Sequence, residues 1–123
     1  MSSAIAVDFD GVIHSYDRGW LDGTIYGDEV PGAFDSLRKL MIERPVFIFT
    51  ARNPESVAMW MQARGGFRVQ LDTPDLLFWD NLGVLLITNR KLPASIYLDD
   101  RGVKFRSWDQ ALDDIGSVTE EQA

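Results

Sequence analysis

An apolar run that ends in two aspartates constrains the fold more than any other feature of the chain. Residues 4–7 are small or apolar, and Asp8, Asp10 and Gly11 follow within four positions. A short unbroken apolar run predicts a central strand of a parallel sheet, buried on both faces. Because side chains alternate along a strand, Asp8 and Asp10 should leave its carboxyl end on the same side. Ligands bind at that edge of open α/β sheets, so both carboxylates are candidate site residues.

Three more stretches place polar residues at or near predicted strands. An apolar strand over residues 45–50 ends in Thr50, and a strand from residue 95 ends in Asp99 and Asp100, with Lys91 shortly before it. Each feature alone has an ordinary explanation, such as an Asp-Gly turn, the β-propensity of threonine, a solvated lysine or an acidic turn. Their order along the chain favours a shared site over these separate explanations.

That order resembles the four motifs of the haloacid dehalogenase (HAD) superfamily of phosphotransferases. The matching segments are Asp8-Phe9-Asp10-Gly11-Val12, Phe49-Thr50-Ala51-Arg52, Arg90-Lys91 and Tyr97-Leu98-Asp99-Asp100-Arg101. The resemblance spans residues 4 to 112 and implies a three-layer Rossmann-like (HAD-like) α/β fold with a central, mainly parallel sheet. Larger members insert a cap domain, but here 39 residues separate Asp10 from Thr50 and 40 separate Thr50 from Lys91. Sheet and helices use most of both intervals, so we expect no cap domain.

The resemblance also implies a role for each motif residue. Asp8 is the nucleophile that forms an aspartyl-phosphate, and Asp10 is the general acid and base. The implied cofactor is Mg²⁺, held by four residues: Asp8, Asp10 through its backbone carbonyl, Asp99 and Asp100. The phosphate oxygens are assigned to Thr50, Ala51 and Lys91.

Residues beside the motifs are candidates for contact with the substrate. Arg52, Arg101 and Trp20 form this group, although either arginine could instead pair with the acidic cluster. His14 is interpreted as a loop residue rather than a catalyst. The segment 12–29 contains several glycines, which predict an irregular excursion or a short hairpin. The resemblance implies that this segment is a flap beside the active site.

Length and composition limit the domain organisation and the range of functions. The chain has 123 residues, and we expect one domain over residues 1–115 and a flexible tail over residues 116–123. A net charge of −7 argues against a broad electrostatic grip on nucleic acid. With no cysteine and one histidine, a disulfide, a thiolate site and a histidine-rich zinc site are excluded. We find no apolar span and no signal segment, so a cytoplasmic location without membrane contact is expected.

Periodicity and capping residues predict the remaining elements. One helix should start at Pro31 and run to about Glu43, and a second should begin at Asn53-Pro54 and stop at Gly65-Gly66. The less regular part of the chain is interpreted as a strand over 67–71, a short helix over 75–81, a strand over 84–88 and an edge strand over 103–105. Apolar residues from Trp108 to Ile115 predict a final amphipathic helix.

Three functions remain open at this level. The first is a Mg²⁺-dependent phosphomonoesterase of unknown substrate. The second is a nucleic-acid 3′-phosphatase, because Asp99-Asp100-Arg101 followed by Trp108 resembles the last motif of phage polynucleotide kinase-phosphatases, and an open site would admit an oligonucleotide end or another phosphorylated macromolecule. The third is a non-catalytic binding or regulatory module, which the presence of all four motifs disfavours.

Overall fold

The chain forms an α/β domain around a five-stranded parallel sheet. The structure is a computed structural model that describes residues 3–99 and 105–122. Along the chain the elements are β1 (Ile5–Asp8), α1 (Ala33–Glu43), β2 (Val46–Phe49), α2 (Pro54–Gly65), β3 (Val69–Leu71), β4 (Leu85–Thr88), β5 (Ile96–Leu98) and α3 (Trp108–Gln122). The strand order is β3-β4-β2-β1-β5, and every pairing is parallel. This is the three-layer Rossmann-like arrangement that the motif order predicts.

The two faces of the sheet are covered differently. Alternate strand residues such as Val7, Ile48 and Ile87 join one core with apolar residues of all three helices. The opposite face carries Phe47 and Leu86, among others, and forms a smaller core with residues of the connecting segments, including Trp79 and Leu92. The central strands are therefore buried on both sides, as their unbroken apolar sequences predict.

The prediction of a short helix over residues 75–81 is wrong. The backbone from Asp72 to Val84 is irregular apart from a turn at Pro74 and Asp75. Nη2 of Arg90 donates to the carbonyl oxygens of Thr73 (2.9 Å) and Leu76 (2.8 Å), and a helix over 75–81 would have used the Leu76 carbonyl for a bond from the Asp80 N–H. Tertiary hydrogen bonds therefore replace the helix here.

Several predicted boundaries move by a few residues. Helix α1 begins after Gly32 rather than at Pro31, and β3 begins at Val69 rather than at residue 67. Residues 103 and 104 of the predicted edge strand lie outside the described residues, and Phe105 is irregular. Helix α3 continues past its apolar face to Gln122, whereas we expected a tail from residue 116.

The predicted start and stop signals of α2 are confirmed. The Asn53 side chain accepts a hydrogen bond from the Glu55 N–H at 2.9 Å, and Pro54 is the first helical residue. Gly66 ends the helix with φ of 69°, a left-handed conformation that disfavours any residue with a Cβ atom. These local signals fix where the chain leaves and re-enters the sheet layer.

Two glycine-to-alanine variants should therefore change the free energy of unfolding in opposite directions. Gly66→Ala places a Cβ atom in a left-handed conformation and should lower the free energy of unfolding by about 1 kcal/mol. The matched control is Gly116→Ala within α3, where a Cβ would meet nothing within 4 Å and φ is not positive. Gly116→Ala should raise the free energy of unfolding by about 0.5–1 kcal/mol, because alanine has the higher helix propensity. Urea unfolding of both variants measures the difference, and equal effects would contradict the capping role of Gly66.

Candidate functional site

The sheet order brings the ends of three neighbouring strands together. Strand β1 lies between β2 and β5, with Asp8 paired with Phe49 and Val7 paired with Leu98. Thr50 and Asp99 are the next residues of the flanking strands, so they lie on either side of Asp8 at the carboxyl edge of the sheet. The structure thus brings together three of the residues that the motif order predicts as one site.

Asp10 is held by two cationic or polar side chains. Arg52 Nε donates to Oδ1 (3.0 Å) and Oδ2 (2.9 Å) of Asp10, and His14 Nδ1 lies 2.9 Å from Oδ1. The Asp10 side chain keeps 21% of its exposure, whereas that of Arg52 keeps 2% and that of His14 none. We call these three residues the Asp10 cluster. Of the two predicted roles for Arg52, the geometry therefore favours pairing with the acidic residues.

His14 is the residue of this cluster that the sequence did not single out. Its ring stacks on Phe9 at 5.5 Å between centroids and meets the edges of Tyr26 and Trp60. Nε2 accepts a hydrogen bond from the Gly27 N–H at 2.9 Å, so it carries no proton. Nδ1 must then carry the proton of a neutral ring and donate it to Asp10. The available signal was the i, i+4 spacing from Asp10, which alone is too common to identify a contact.

Arg52 connects the cluster to the flap. Its Nη1 donates to the Gly23 carbonyl at 2.6 Å, and its guanidinium carbon lies 4.5 Å from the ring centroid of Trp20. Nη2 is buried and has no hydrogen-bond partner in the described part of the chain. Trp20 remains 46% exposed, so one side of the ring covers Arg52 while much of it faces solvent. The predicted substrate contact Trp20 therefore lies at the rim of the site.

The arrangement of Thr50 and Arg52 recurs on the neighbouring strand β4. Thr50 Oγ1 accepts the Arg52 N–H at 3.0 Å, and Thr88 Oγ1 accepts the Arg90 N–H at 2.9 Å. Just as Arg52 pairs with Asp10 after β1, Arg90 pairs with Asp72 after β3, at 2.6 Å from Nε to Oδ2. Each threonine-x-arginine segment thus connects its own strand to an aspartate that follows an adjacent strand.

Other predicted residues lie nearby or outside the described residues. Lys91 is exposed, and its Nζ lies 5.9 Å from the ring centroid of Phe49, above the end of β2. Ala51 is exposed directly after Thr50. Asp100 and Arg101 fall in the part of the chain that the structure does not describe. Within residues 3–99 and 105–122, no three acidic or histidine side chains are grouped to hold a metal ion.

A pocket of about 360 Å³ opens at the same edge of the sheet. It lies over the ends of β3 and β4 and beside the start of α2, and it is lined by Asn53, Pro54, Glu55, Leu71, Asp72, Thr73, Pro74, Asn89 and Arg90. Asp8 and the Asp10 cluster do not line it. The pocket and the candidate site over β1 therefore occupy different parts of the same edge of the sheet.

Comparison with known proteins supports the fold and leaves the activity open. No family model matches the sequence, and no curated protein matches it. A solved structure of a conserved protein from Bacteroides thetaiotaomicron is similar over 95% of this chain and 92% of its own, with 26% identity and a TM-score of 0.58. No helix in the described ranges is long and apolar enough to cross a membrane.

The Asp72–Arg90 pair generates a prediction about acid stability. Hydrogen bonding from Arg90, opposed by desolvation and aided by Thr88, lowers the pKa of Asp72. A carboxylate with a depressed native pKa stabilises the fold above its unfolded value, about 3.9, and this contribution is lost as the pH falls through the native pKa. Asp72→Asn should therefore destabilise the protein at pH 7 by about 1 kcal/mol, since Arg90 is partly exposed, and the deficit should vanish in acid.

Urea unfolding of Asp72→Asn and wild type from pH 7 down to pH 3 measures this dependence. The control is Asp80→Asn, because Asp80 is exposed and in a similar connecting segment. A deficit of the same size at pH 7 and pH 3 would show that the pair does not stabilise the fold through its charge.

Proposed function

We propose that this chain is a Mg²⁺-dependent phosphomonoesterase of the haloacid dehalogenase type. The observation that carries the proposal is the position of Asp8 at the end of the central strand, with Thr50 and Asp99 on the flanking strands. Asp10 adds a second carboxylate two residues later, already oriented by His14 and Arg52. A nucleophile, a proton carrier and groups for binding phosphate thus occur at one edge of the sheet.

The two aspartates would divide the reaction into two steps. The Asp8 carboxylate attacks phosphorus, the ester P–O bond breaks, and protonated Asp10 gives its proton to the leaving oxygen. Asp10, now a carboxylate, removes a proton from water, which attacks the aspartyl-phosphate and releases inorganic phosphate and free Asp8. Oδ1 of Asp10 accepts from both His14 and Arg52, whereas Oδ2 accepts from Arg52 alone. Oδ2 is thus the better oxygen to carry the transferred proton.

The donor set fits Mg²⁺ in part. Asp8 and Asp99 end adjacent strands and offer the hard carboxylate oxygens that this ion prefers. Both oxygens of Asp10 already accept from Arg52, so its backbone carbonyl is the better ligand. With Asp100 as the remaining candidate, these residues would hold the ion. When bound, Mg²⁺ would offset the repulsion between a carboxylate nucleophile and a phosphate dianion.

Thr50 and Lys91 are suited to bind the phosphate. Because Thr50 Oγ1 accepts the Arg52 N–H, its own hydroxyl hydrogen is left to donate to a phosphate oxygen. Lys91 is exposed near the end of β2, from where its flexible side chain can supply positive charge. Ala51 follows Thr50 and offers a backbone N–H in the same turn.

Metal and nucleophile dependence test the proposal together. Turnover of an aryl phosphate should require Mg²⁺ and disappear with excess EDTA. Asp8→Asn should abolish turnover, because the amide cannot form the acyl phosphate. Steady-state kinetics and trapping of the phosphorylated protein provide the measurements. Robust turnover by Asp8→Asn, or by wild type in EDTA, would contradict the mechanism.

Two strand-ending threonines allow a matched test of phosphate binding. Thr50→Ala should lower kcat/KM roughly tenfold to a hundredfold, the value of a hydrogen bond to a charged group of about 1.5–3 kcal/mol. Thr50→Ser should retain most activity. Thr88→Ala removes the equivalent hydroxyl on β4, which bonds Asp72 and not the site, so it should affect stability rather than turnover. Equal losses in kcat/KM for the two alanine variants would contradict the assignment of Thr50.

A nucleic-acid 3′-phosphatase is the second candidate, and Trp20 is the observation that favours it. The indole is half exposed at the rim and lies against Arg52, which itself contacts Asp10. An exposed aromatic ring beside a phosphatase site can stack on the last base of a chain.

Replacing Trp20 should therefore affect two substrates differently. Trp20→Ala should lower kcat/KM for a 3′-phosphorylated oligonucleotide about tenfold, as expected for a loss of about 1–3 kcal/mol of base stacking. Activity on an aryl phosphate should change by less than about threefold, a difference below 1 kcal/mol. The control Phe78→Ala removes an exposed aromatic ring outside the site. Equal losses on both substrates would exclude a stacking role.

A further inference from the structure

We propose that His14 is a positioning residue that couples the flap to the Asp10 carboxylate. The coupling runs from the Gly27 N–H to His14 Nε2 and from His14 Nδ1 to Asp10 Oδ1, each at 2.9 Å. As a statement about catalysis it rests on the proposed phosphatase function. As a statement about structure it stands on these contacts alone.

The first step is the fixed tautomer of the ring. The Gly27 N–H can only donate, so Nε2 must accept and the neutral ring carries its proton on Nδ1. The ring is fully buried, and Phe9 and Tyr26 restrict its rotation. Asp10 therefore meets a donor of fixed direction, and this direction holds only while Gly27 keeps its position.

The second step is the close approach of the flap backbone. A Cβ atom on Gly27 would lie 2.2 Å from Ser15 Oγ and 2.9 Å from His14 Nε2, distances at which something must shift. Glycine is favoured at position 27 because of these close contacts and not because of backbone conformation, since Gly27 is not in the left-handed region. The backbone of His14 also forms β-bridges with Asp10, which precedes the flap, and with Glu29, the last residue of the flap. Movement of the flap near Gly27 is therefore transmitted to the ring.

The third step connects the ring to the reaction. His14 and Arg52 together fix the orientation of the carboxylate that must reach the leaving oxygen. A misdirected general acid slows the loss of poor leaving groups most, because good leaving groups depart with little protonation. The loss of the His14 donor should therefore be visible as a change in leaving-group dependence rather than as a uniform loss.

Spectroscopy tests the coupling without any assay of activity. His14 is the only histidine of the chain, so its ¹⁵N signals need no assignment among several rings. Long-range ¹H–¹⁵N spectra should show the Nδ1–H tautomer in wild type and in the control Gly116→Ala. Gly27→Ala should produce a mixture of tautomers. An Nε2–H tautomer in wild type, or an unchanged Nδ1–H tautomer in folded Gly27→Ala, would overturn the proposal.

Two substitutions of His14 separate its two hydrogen bonds. His14→Asn places an amide N–H near the position of Nδ1 and retains the donor to Asp10. His14→Gln places an oxygen near Nε2, so it retains the acceptor for Gly27 and loses the donor to Asp10. We expect His14→Gln to lower kcat/KM for an alkyl phosphate about tenfold more than for p-nitrophenyl phosphate. His14→Asn keeps this donor but loses the Gly27 contact that directs it, so the difference between the two substrates should be smaller, about threefold.

Other results of these experiments would contradict or support the positioning role of His14. Equal losses on both substrates for His14→Gln, or equal impairment of the two variants, would show a merely structural role. In the His14→Asn background, Gly27→Ala should cost no further activity, because the shared link is already absent. If wild type hydrolyses no phosphate ester and yet shows the expected tautomers, the proposed function is overturned and the coupling of flap and carboxylate is supported.

Discussion

The ion pair between Arg52 and Asp10 is the interaction on which the candidate site depends. Arg52 follows β2, Asp10 follows β1, and Nη1 of the same guanidinium reaches the Gly23 carbonyl of the flap. Arg52 is almost fully buried, and its charge is stabilised by the two hydrogen bonds that it donates to Asp10. Removing one partner of such a pair typically costs about 3–5 kcal/mol, because the other is left buried and uncompensated. The pair therefore fixes the flap and the carboxylate as one unit.

The same chemistry at the neighbouring strands has a different consequence. Arg90 and Asp72 form the equivalent pair after β4 and β3, but Arg90 also donates hydrogen bonds to the carbonyl oxygens of Thr73 and Leu76. It thereby organises an irregular segment that covers the second face of the sheet through Trp79. One threonine-x-arginine segment thus supports the candidate site, and the other supports the fold.

Two residues of the Asp10 cluster contact the flap at different places. Arg52 contacts the flap at Gly23 and Trp20, and His14 contacts it at Gly27. Both contacts converge on Asp10, so the flap also orients the proposed general acid. In the proposed phosphatase, this arrangement would give a short segment influence over chemistry as well as over access.

The sequence by itself determined the elements that follow from local physics. Unbroken apolar runs predicted the strands that bear the site, Asn53 and Gly66 predicted the limits of α2, and the strand-ending positions of Asp8, Thr50 and Asp99 predicted their convergence. These properties depend on neighbours a few residues away or on the common direction of parallel strands. Only the tertiary structure decided that residues 75–81 stay irregular. It also decided that His14, which the sequence indicates only as a loop residue, contacts Asp10. Both outcomes depend on groups brought together by folding, the side chain of Arg90 in one case and the backbone N–H of Gly27 in the other, and these partners lie too far along the chain for a local pattern to identify them.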